Sequence, residues 1–283
     1  IFINDVADLF VDNVSVKIYA DDVKLYLEIE NDSKVEVLQR CIDEFSNWSK
    51  TWQLTLSFSK CYHIRIGLSR SAPSAAYHVA DNNLSTVKDI RDLGVQIDYK
   101  LSFTNHVRLI AAKAHRRASQ ILRCFVSKDR DTLVKAFITY VRPILEYASP
   151  AWSPLNIGLV NCLEAVQRRF TKKLTGLSAF SYDERCSFLK LERLELRRLR
   201  QDLITCYKII HGFICLRSED FFIIDQDHTT RGHAFKLKVQ ESRIDARKHF
   251  LQRVLLKFGI SCPLILFLLI LLIFLKENCI YII

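Results

Sequence analysis

The sequence predicts an α+β fold: a β-hairpin with a helix against it, followed by a mostly α-helical, basic region. Three observations predict this. Residues 14–29 alternate apolar and polar side chains on both sides of a central Asp-Asp. Residues 33–52 then place apolar side chains three and four apart. From about Thr104 to Gly212, helical spacing returns in four further segments rich in Lys and Arg. Period two marks half-buried strands and period 3.6 marks amphipathic helices.

In the first strand, Val14, Val16 and Ile18 share one parity. In the second, Val23, Leu25, Leu27 and Ile29 alternate with Lys24, Tyr26 and Glu28. Asp21 and Asp22 fall at the join, where a tight turn is the natural connection. The helix that follows carries Val35, Leu38, Ile42, Phe45, Trp48 and Trp52 on one stripe, with Ser33 and Glu36 at capping-box spacing. That stripe is expected to cover the hairpin, because an isolated hairpin is marginal in water. Short strands are expected near Ile64 and Ile66 and near Val95 and Ile97, with a loop over 69–82. Two strands and a helix make a thin core, and a fuller sheet needs further strands.

The helical segments begin near Thr104, with Val107, Ile110, Ala111, Ala114, Ile121, Leu122 and Phe125 largely on one side. A second segment spans 131–147, and Pro143 should break it. A third spans 158–175. The fourth ends at Gly212, a natural C-terminal cap.

Charge is uneven along the 283 residues. Residues 1–100 carry 11 Lys and Arg against 15 Asp and Glu, whereas residues 101–213 carry 20 against 9. An acidic block beside a basic block suggests a cation-binding region near a polyanion-binding one. The nine cysteines are scattered with no C-x-x-C pair, which argues for reduced thiols in an intracellular setting, with no disulfide partner and no zinc set. No methionine occurs, even at position 1, so the sequence reads as a fragment of a longer chain. Residues 264–275 are 12 consecutive apolar residues, and 17 uncharged residues run from Gly259. A spanning helix needs about 20, so membrane contact through 259–275 is the weaker reading of this tail.

The Asp-Asp pair admits two readings on its own. Adjacent aspartates are ordinary turn chemistry. Two carboxylates about 4 Å apart also repel by roughly 1 kcal/mol in water and about 4 kcal/mol at intermediate dielectric. A divalent cation turns that repulsion into affinity, since Mg²⁺ is held by one or two carboxylates plus substrate phosphates.

Other stretches weigh on the choice. "IYADDVKLY" resembles the Y/F-x-Asp-Asp box of reverse transcriptases, and "IFINDV" resembles the segment that precedes it. "LTLSFSKC", "DLGVQIDYKLSFTNHV", "YVRPILEYASPAWSP", "AVQRRFTKKLTG", "YDERCSFLKLERLELRRLRQDL" and "TRGHAF" follow in an order similar to the polymerases of non-LTR (LINE-type, Jockey-like) retrotransposons. The resemblance runs from residue 1 to about 254, with Ser57 where the family usually has Asn. The family's earlier catalytic aspartate strand and its glycine-containing segment have no counterpart here. The expected Trp-Asn-x-Leu-Pro ending gives way to "LLKFGISCPLILF", so residues after about 256 read as non-family sequence.

The resemblance implies a truncated polymerase palm, a hairpin plus helix, followed by a thumb-like helical region. The implied parts are a palm remnant over 1–68, connecting loop and short strands over 69–103, a basic thumb-like region over 104–213, an extension over 214–256 and an apolar tail over 257–283. It implies RNA-directed DNA polymerase chemistry, a two-metal nucleotidyl transfer, with Mg²⁺ or Mn²⁺ as cofactor and RNA template, DNA primer and deoxynucleotide triphosphates as partners. Asp21 would be a direct metal ligand and Asp22 a second, weaker one. Lys60 would serve the leaving pyrophosphate, and Tyr19 and Ala20 would neighbour the primer end. Arg116, Arg117, Arg168, Arg169, Lys172 and Lys173 would grip the nucleic-acid backbone. Without the earlier aspartate strand, the chain is expected to be inactive alone. The alternatives are a non-catalytic nucleic-acid-binding module and a membrane-tethered protein. The implied location is the nucleus or cytoplasm.

Overall fold

The computed structural model describes residues 4–10, 14–67, 73, 75–154, 156–220 and 279–282. The chain divides into two compact units, with the boundary between Leu101 and Ser102 and the C-terminal residues joined to the first.

The first unit is built on a five-stranded mixed sheet. Ser15–Tyr19 (β1) and Asp22–Glu28 (β2) form the expected antiparallel hairpin, with Tyr19 opposite Asp22. The helix Asp32–Thr51 (α1) packs on β2 and on a 3-10 turn at Asn4–Leu9. Its cap is Asn31, whose side chain accepts from the Lys34 amide at 3.1 Å. The expected Ser33 cap lies inside the helix, because Asn31 is an equally good acceptor two residues earlier. Leu38, Ile42 and Trp48 are buried as the stripe required, but Trp52 is exposed at the helix end.

The remaining strands are Tyr62–Ile66 (β3), His78–Val79 (β4), Asn82–Asn83 (β5), Ser85–Val87 (β6), Asp89–Asp92 (β7), Val95–Asp98 (β8) and Cys279–Ile282 (β9). The main sheet runs β1-β2-β9-β3-β6. Its central strand therefore comes from the far end of the chain, where the sequence reading placed only an apolar tail. β9 lies antiparallel to β2 on one side and to β3 on the other, and β6 runs parallel to β3. β4–β5 and β7–β8 are small antiparallel hairpins. The second turns on Leu93 and Gly94, both with positive φ, as a tight twisted hairpin requires.

The core of this unit joins Val14, Leu25, Leu27 and Ile29 to Leu38, Cys41 and Ile42 of α1 and to Tyr77, Val79 and Leu84. Gln39 locks the helix to β4 by donating to the His78 carbonyl at 2.9 Å and accepting the His78 amide at 3.0 Å. The other face of β2 is covered as well. Lys24 is only 4% exposed and forms an ion pair with Asp92 of β7. Alternation had assigned Lys24 to solvent.

The second unit is helical: Thr104–Cys124 (α2), Arg130–Tyr140 (α3), Arg142–Glu146 (α4), Ser149–Trp152 (α5), Ile157–Lys172 (α6), Tyr182–Phe188 (α7) and Leu194–Ile210 (α8). Pro143 sits in the first turn of α4, so the expected break falls just before it. α2 buries Ala111, Ala114 and Ala118 in a row, and these small residues let α6 approach closely along its length. Phe137 packs against Phe170 with the rings tilted by 32° and centroids 4.6 Å apart, joining α3 to α6. Trp152 packs edge-on to His106 and donates to the Tyr147 carbonyl at 2.8 Å. α8 ends at the αL residue Gly212, as the sequence indicated.

Candidate functional site

The first candidate site is the tip of the β1–β2 hairpin. Ala20 and Asp21 form the two-residue turn, and Ala20 takes the left-handed conformation at φ 54°. Asp22 is the first residue of β2. Tyr19 is 64% exposed, and Asp21 and Asp22 are both exposed. The two carboxylates therefore stand in water beside each other, on a strand pair held by a buried core. Among the described residues, no cluster of three His, Cys, Asp or Glu side chains includes them.

Lys60 closes a 3-10 turn at Phe58–Lys60 and is exposed. Sheet register places it relative to the aspartates. Leu25 of β2 and His63 of β3 both lie opposite Ile282 of β9. β2 and β3 thus run in the same direction, two strand positions apart. Asp22 and Lys60, each three residues earlier, emerge at the same end of the sheet. Two strand spacings amount to about 10 Å.

The second candidate site is the paired surface of α2 and α6. Arg116 and Arg117 are exposed on α2. Arg168, Arg169 and Lys172 are exposed on the last turns of α6, and Lys173 is its C-terminal cap. The helices pack together, and His115 of α2 feels the charge of Arg169: partial burial first, then Arg169, lower its pKa. The two groups of basic side chains are therefore brought onto neighbouring helices.

A buried polar cluster holds the end of α6, and the sequence reading missed it. Arg185 of α7 is buried and donates to Thr171 Oγ1 at 3.1 Å, to the Arg168 carbonyl at 3.3 Å and to the Phe180 carbonyl. A cation there suits the negative end of the helix dipole. Glu164 of α6 accepts from the Tyr182 hydroxyl and from the amides of Leu194 and Glu195 at 3.2 and 3.3 Å. It thereby caps α8, whose own N-cap residue, Arg193, makes no side-chain cap. Gln167 donates to Tyr182 Oη at 3.0 Å and to the Glu192 carbonyl at 3.1 Å. The Arg168 guanidinium lies over the Tyr182 ring, 5.2 Å from its centroid. One readable signal existed: Ser181 and Glu184 form a capping box that marks the start of α7.

The apolar segment 259–275, the candidate membrane contact, lies outside the described residues. Among the described residues no helix is long and apolar enough to cross a membrane. Of the extension expected over 214–256, residues 221–256 also lie outside them.

Comparison with known proteins adds family information. No family model and no solved structure matches the chain. An uncharacterized protein of Caenorhabditis elegans is 27% identical over 126 residues, covering 44% of this chain and 64% of that protein. The RNA-directed DNA polymerase of the mobile element jockey from Drosophila funebris is 23% identical over 181 residues, 61% of this chain and 19% of the polymerase. A probable RNA-directed DNA polymerase of the X-element transposon from Drosophila melanogaster is 22% identical over 167 residues, 57% of this chain and 18% of that protein. The chain thus spans under a fifth of the length of the two polymerases. Over about 60% of its length, the chain is related to the RNA-directed DNA polymerases of non-LTR retrotransposons of the jockey and X-element type.

Proposed function

We propose that the chain is part of a reverse transcriptase in which Asp21 and Asp22 hold divalent metal at the primer terminus and the α2–α6 surface grips the template–primer. The observation that carries the reading is the exposed aspartate pair at a two-residue hairpin turn, within a chain related to polymerases. Mg²⁺ fits two neighbouring carboxylates when it keeps waters and takes phosphate oxygens as its other ligands. In two-metal transfer the ions clamp the attacking and leaving oxygens. On this reading Asp21 ligates the metal directly and Asp22 has a supporting role. Lys60, at the same end of the sheet, neutralises the departing pyrophosphate. Tyr19 and Ala20 border the primer end.

Two-metal chemistry needs carboxylates from more than one strand. On this reading the 283 residues alone bind template–primer without extending it, and the further carboxylate has to be supplied. The α2–α6 surface supports a second, coarser reading, a nucleic-acid-binding module without catalysis. Its six basic side chains are exposed and need nothing from the hairpin to contact phosphate.

The test is binding of a fluorescent RNA–DNA template–primer, followed by anisotropy between 50 and 200 mM salt. Six neutralised phosphates predict a loss of about a thousandfold in affinity over that range. Arg116→Gln and Arg169→Gln should each lower the salt slope by about one. Salt-insensitive binding, or none, ends both readings. Binding that Mg²⁺ does not alter, in Asp21→Asn and wild type alike, leaves the module without catalysis. Primer extension by the chain alone contradicts the need for a further carboxylate.

A further inference from the structure

We propose that Tyr207, His211 and Phe213, at the C-terminal end of α8, form a stacking platform for unpaired bases, and that its ligand is single-stranded nucleic acid. The proposal rests on the nucleic-acid reading of the helical unit and not on metal at the hairpin.

The three rings are mutual neighbours. The Tyr207 and His211 centroids are 4.2 Å apart, those of Tyr207 and Phe213 6.0 Å, and those of His211 and Phe213 6.4 Å. The planes of Tyr207 and Phe213 differ by 20°. Yet Tyr207 is 53% exposed, Phe213 is 68% exposed, and His211 is exposed as well. α8 faces the core with its other side, through Leu194, Arg198, Asp202, Cys206 and Ile209.

The helix cap holds the rings in place. Gly212, in the left-handed conformation, turns the chain back. Its amide donates to the Ile209 carbonyl at 3.1 Å, and the Phe213 amide donates to the Lys208 carbonyl at 2.7 Å. This is the Schellman pattern, and Phe213 against Tyr207 is its usual apolar contact. The cap explains why those two rings meet. It does not explain why both stay more than half exposed with a third ring beside them. A base that stacks there finds the surface preorganised, so little further ordering opposes binding.

Charge and size select the ligand. From Leu203 to Arg217 there is no Asp or Glu, and the exposed charges are Lys208 and Arg217. The cap bonds also occupy carbonyls that would otherwise turn the negative end of the helix toward a phosphate. Rings beside cations suit an unpaired strand, whose bases stack while its phosphates meet the positive charge. A protein partner fits less well. An aromatic side chain offers about 150–250 Å², so three half-exposed rings present on the order of 300 Å². A stable protein interface takes roughly 800 Å² per partner. Such a partner would also have to cover Leu196 and Ile204, exposed further back on the same face of α8.

The test is fluorescence anisotropy of the full chain with a labelled oligothymidine of about eight nucleotides, within the usual range of single-strand sites. An oligouridine of equal length distinguishes DNA from RNA as the preferred strand, and an abasic strand with the same phosphates is the control. The chain should bind at least one of the two base-bearing strands about tenfold more tightly than the abasic one, the share of a stacked base. Tyr207→Ala combined with Phe213→Ala should remove that difference, and Tyr207→Trp, which keeps a ring, should retain it. Neither change should alter binding of a blunt RNA–DNA duplex or its salt slope, which also reports that the variants are folded. Ile204→Ser should leave every affinity unchanged.

Equal affinity for base-bearing and abasic strands, or a preference that survives loss of both rings, overturns the proposal while the α2–α6 grip on duplex stands. Weakening by Ile204→Ser equal to that of the ring variants overturns it too, because the apolar face and not stacking would then carry binding. So does self-association that Phe213→Ala abolishes and oligothymidine does not displace, which assigns the face to a second copy of the chain. No binding of any strand, duplex included, overturns both readings.

Discussion

Replacing Lys24 with Met should destabilise the first unit by several kcal/mol, and replacing Asp92 with Leu as well should return most of that loss. Both side chains are almost inaccessible, 4% and 3% exposed, and they are paired across β2 and β7. Met keeps the aliphatic stem of Lys24 but removes the ammonium that pairs with the buried Asp92 carboxylate. Breaking a buried pair in this way costs about 3–5 kcal/mol. That is a large share of the roughly 5–15 kcal/mol that holds a domain folded. Replacing both partners by apolar residues is often neutral or stabilising by about 1–4 kcal/mol. The two substitutions should therefore be strongly non-additive, as contacting residues are. Hydrogen exchange of the β2 amides reads the opening free energy of this unit directly. Lys24→Met should speed it by roughly a hundredfold to a few thousandfold, at 1.4 kcal/mol per factor of ten. The double variant should exchange within about tenfold of wild type. The α6 amides, in the other unit, serve as internal reference. The reasoning is refuted if Lys24→Met leaves β2 exchange unchanged, or if the double variant is worse than either single one.

Glu164→Ala removes the acceptor for the Tyr182 hydroxyl and two α8 amides. At about 1–3 kcal/mol for a buried group left unsatisfied, the second unit should lose roughly 3 kcal/mol in urea unfolding; a change under about 0.5 kcal/mol, the usual range for a surface substitution, would contradict the capping role. Burial pushes the Asp202 carboxyl up to about 8, against the opposing charge of Arg198. Its folded pKa is above the unfolded 3.8, so its contribution to stability is full below that pH and is lost as pH rises through about 8. Thermal unfolding of wild type should therefore weaken between pH 5 and 9 relative to Asp202→Asn, and parallel pH profiles would refute this. Ala20 holds a left-handed conformation that costs an L-residue roughly 1–2 kcal/mol. Ala20→Gly should slow exchange across the hairpin, and faster exchange would show that the turn is not strained in solution.

The sequence was most legible where one periodicity runs uninterrupted. α1, α2, α6 and α8 each bury one stripe, the hairpin forms where alternation places it although β2 buries both faces, and Pro143 and Gly212 punctuate where their backbone chemistry demands. Legibility failed where burial is decided by distant partners. Nothing local to Lys24 announces Asp92, 68 residues later. Asn31 competed with Ser33 for the same orphan amides, and the choice rested on where the helix begins. The short α5 offered too few residues for a period, whereas α7 carried a readable capping box. β9 was hidden most deeply: four residues after a long apolar run carry no mark of becoming a central strand, because their place is defined by the two edges that receive them. At the candidate sites alternation alone placed Asp21 and Asp22 at the hairpin join, one residue off: the turn is Ala20–Asp21, and Asp22 already pairs with Tyr19. The alignment of Asp22 with Lys60 needed the register of three strands. The cluster that steadies Arg168 needed the packing of three helices.

The account turns on whether the hairpin tip holds a divalent cation. Titrating Mn²⁺ into isotope-labelled chain and following paramagnetic broadening tests this directly. The account predicts that the amide signals of Tyr19 to Val23 broaden before those of other exposed carboxylates, that Mg²⁺ competes the effect away, and that Asp21→Asn abolishes it. Hairpin signals that stay sharp while other acidic positions broaden, or that broaden equally in Asp21→Asn, would contradict it.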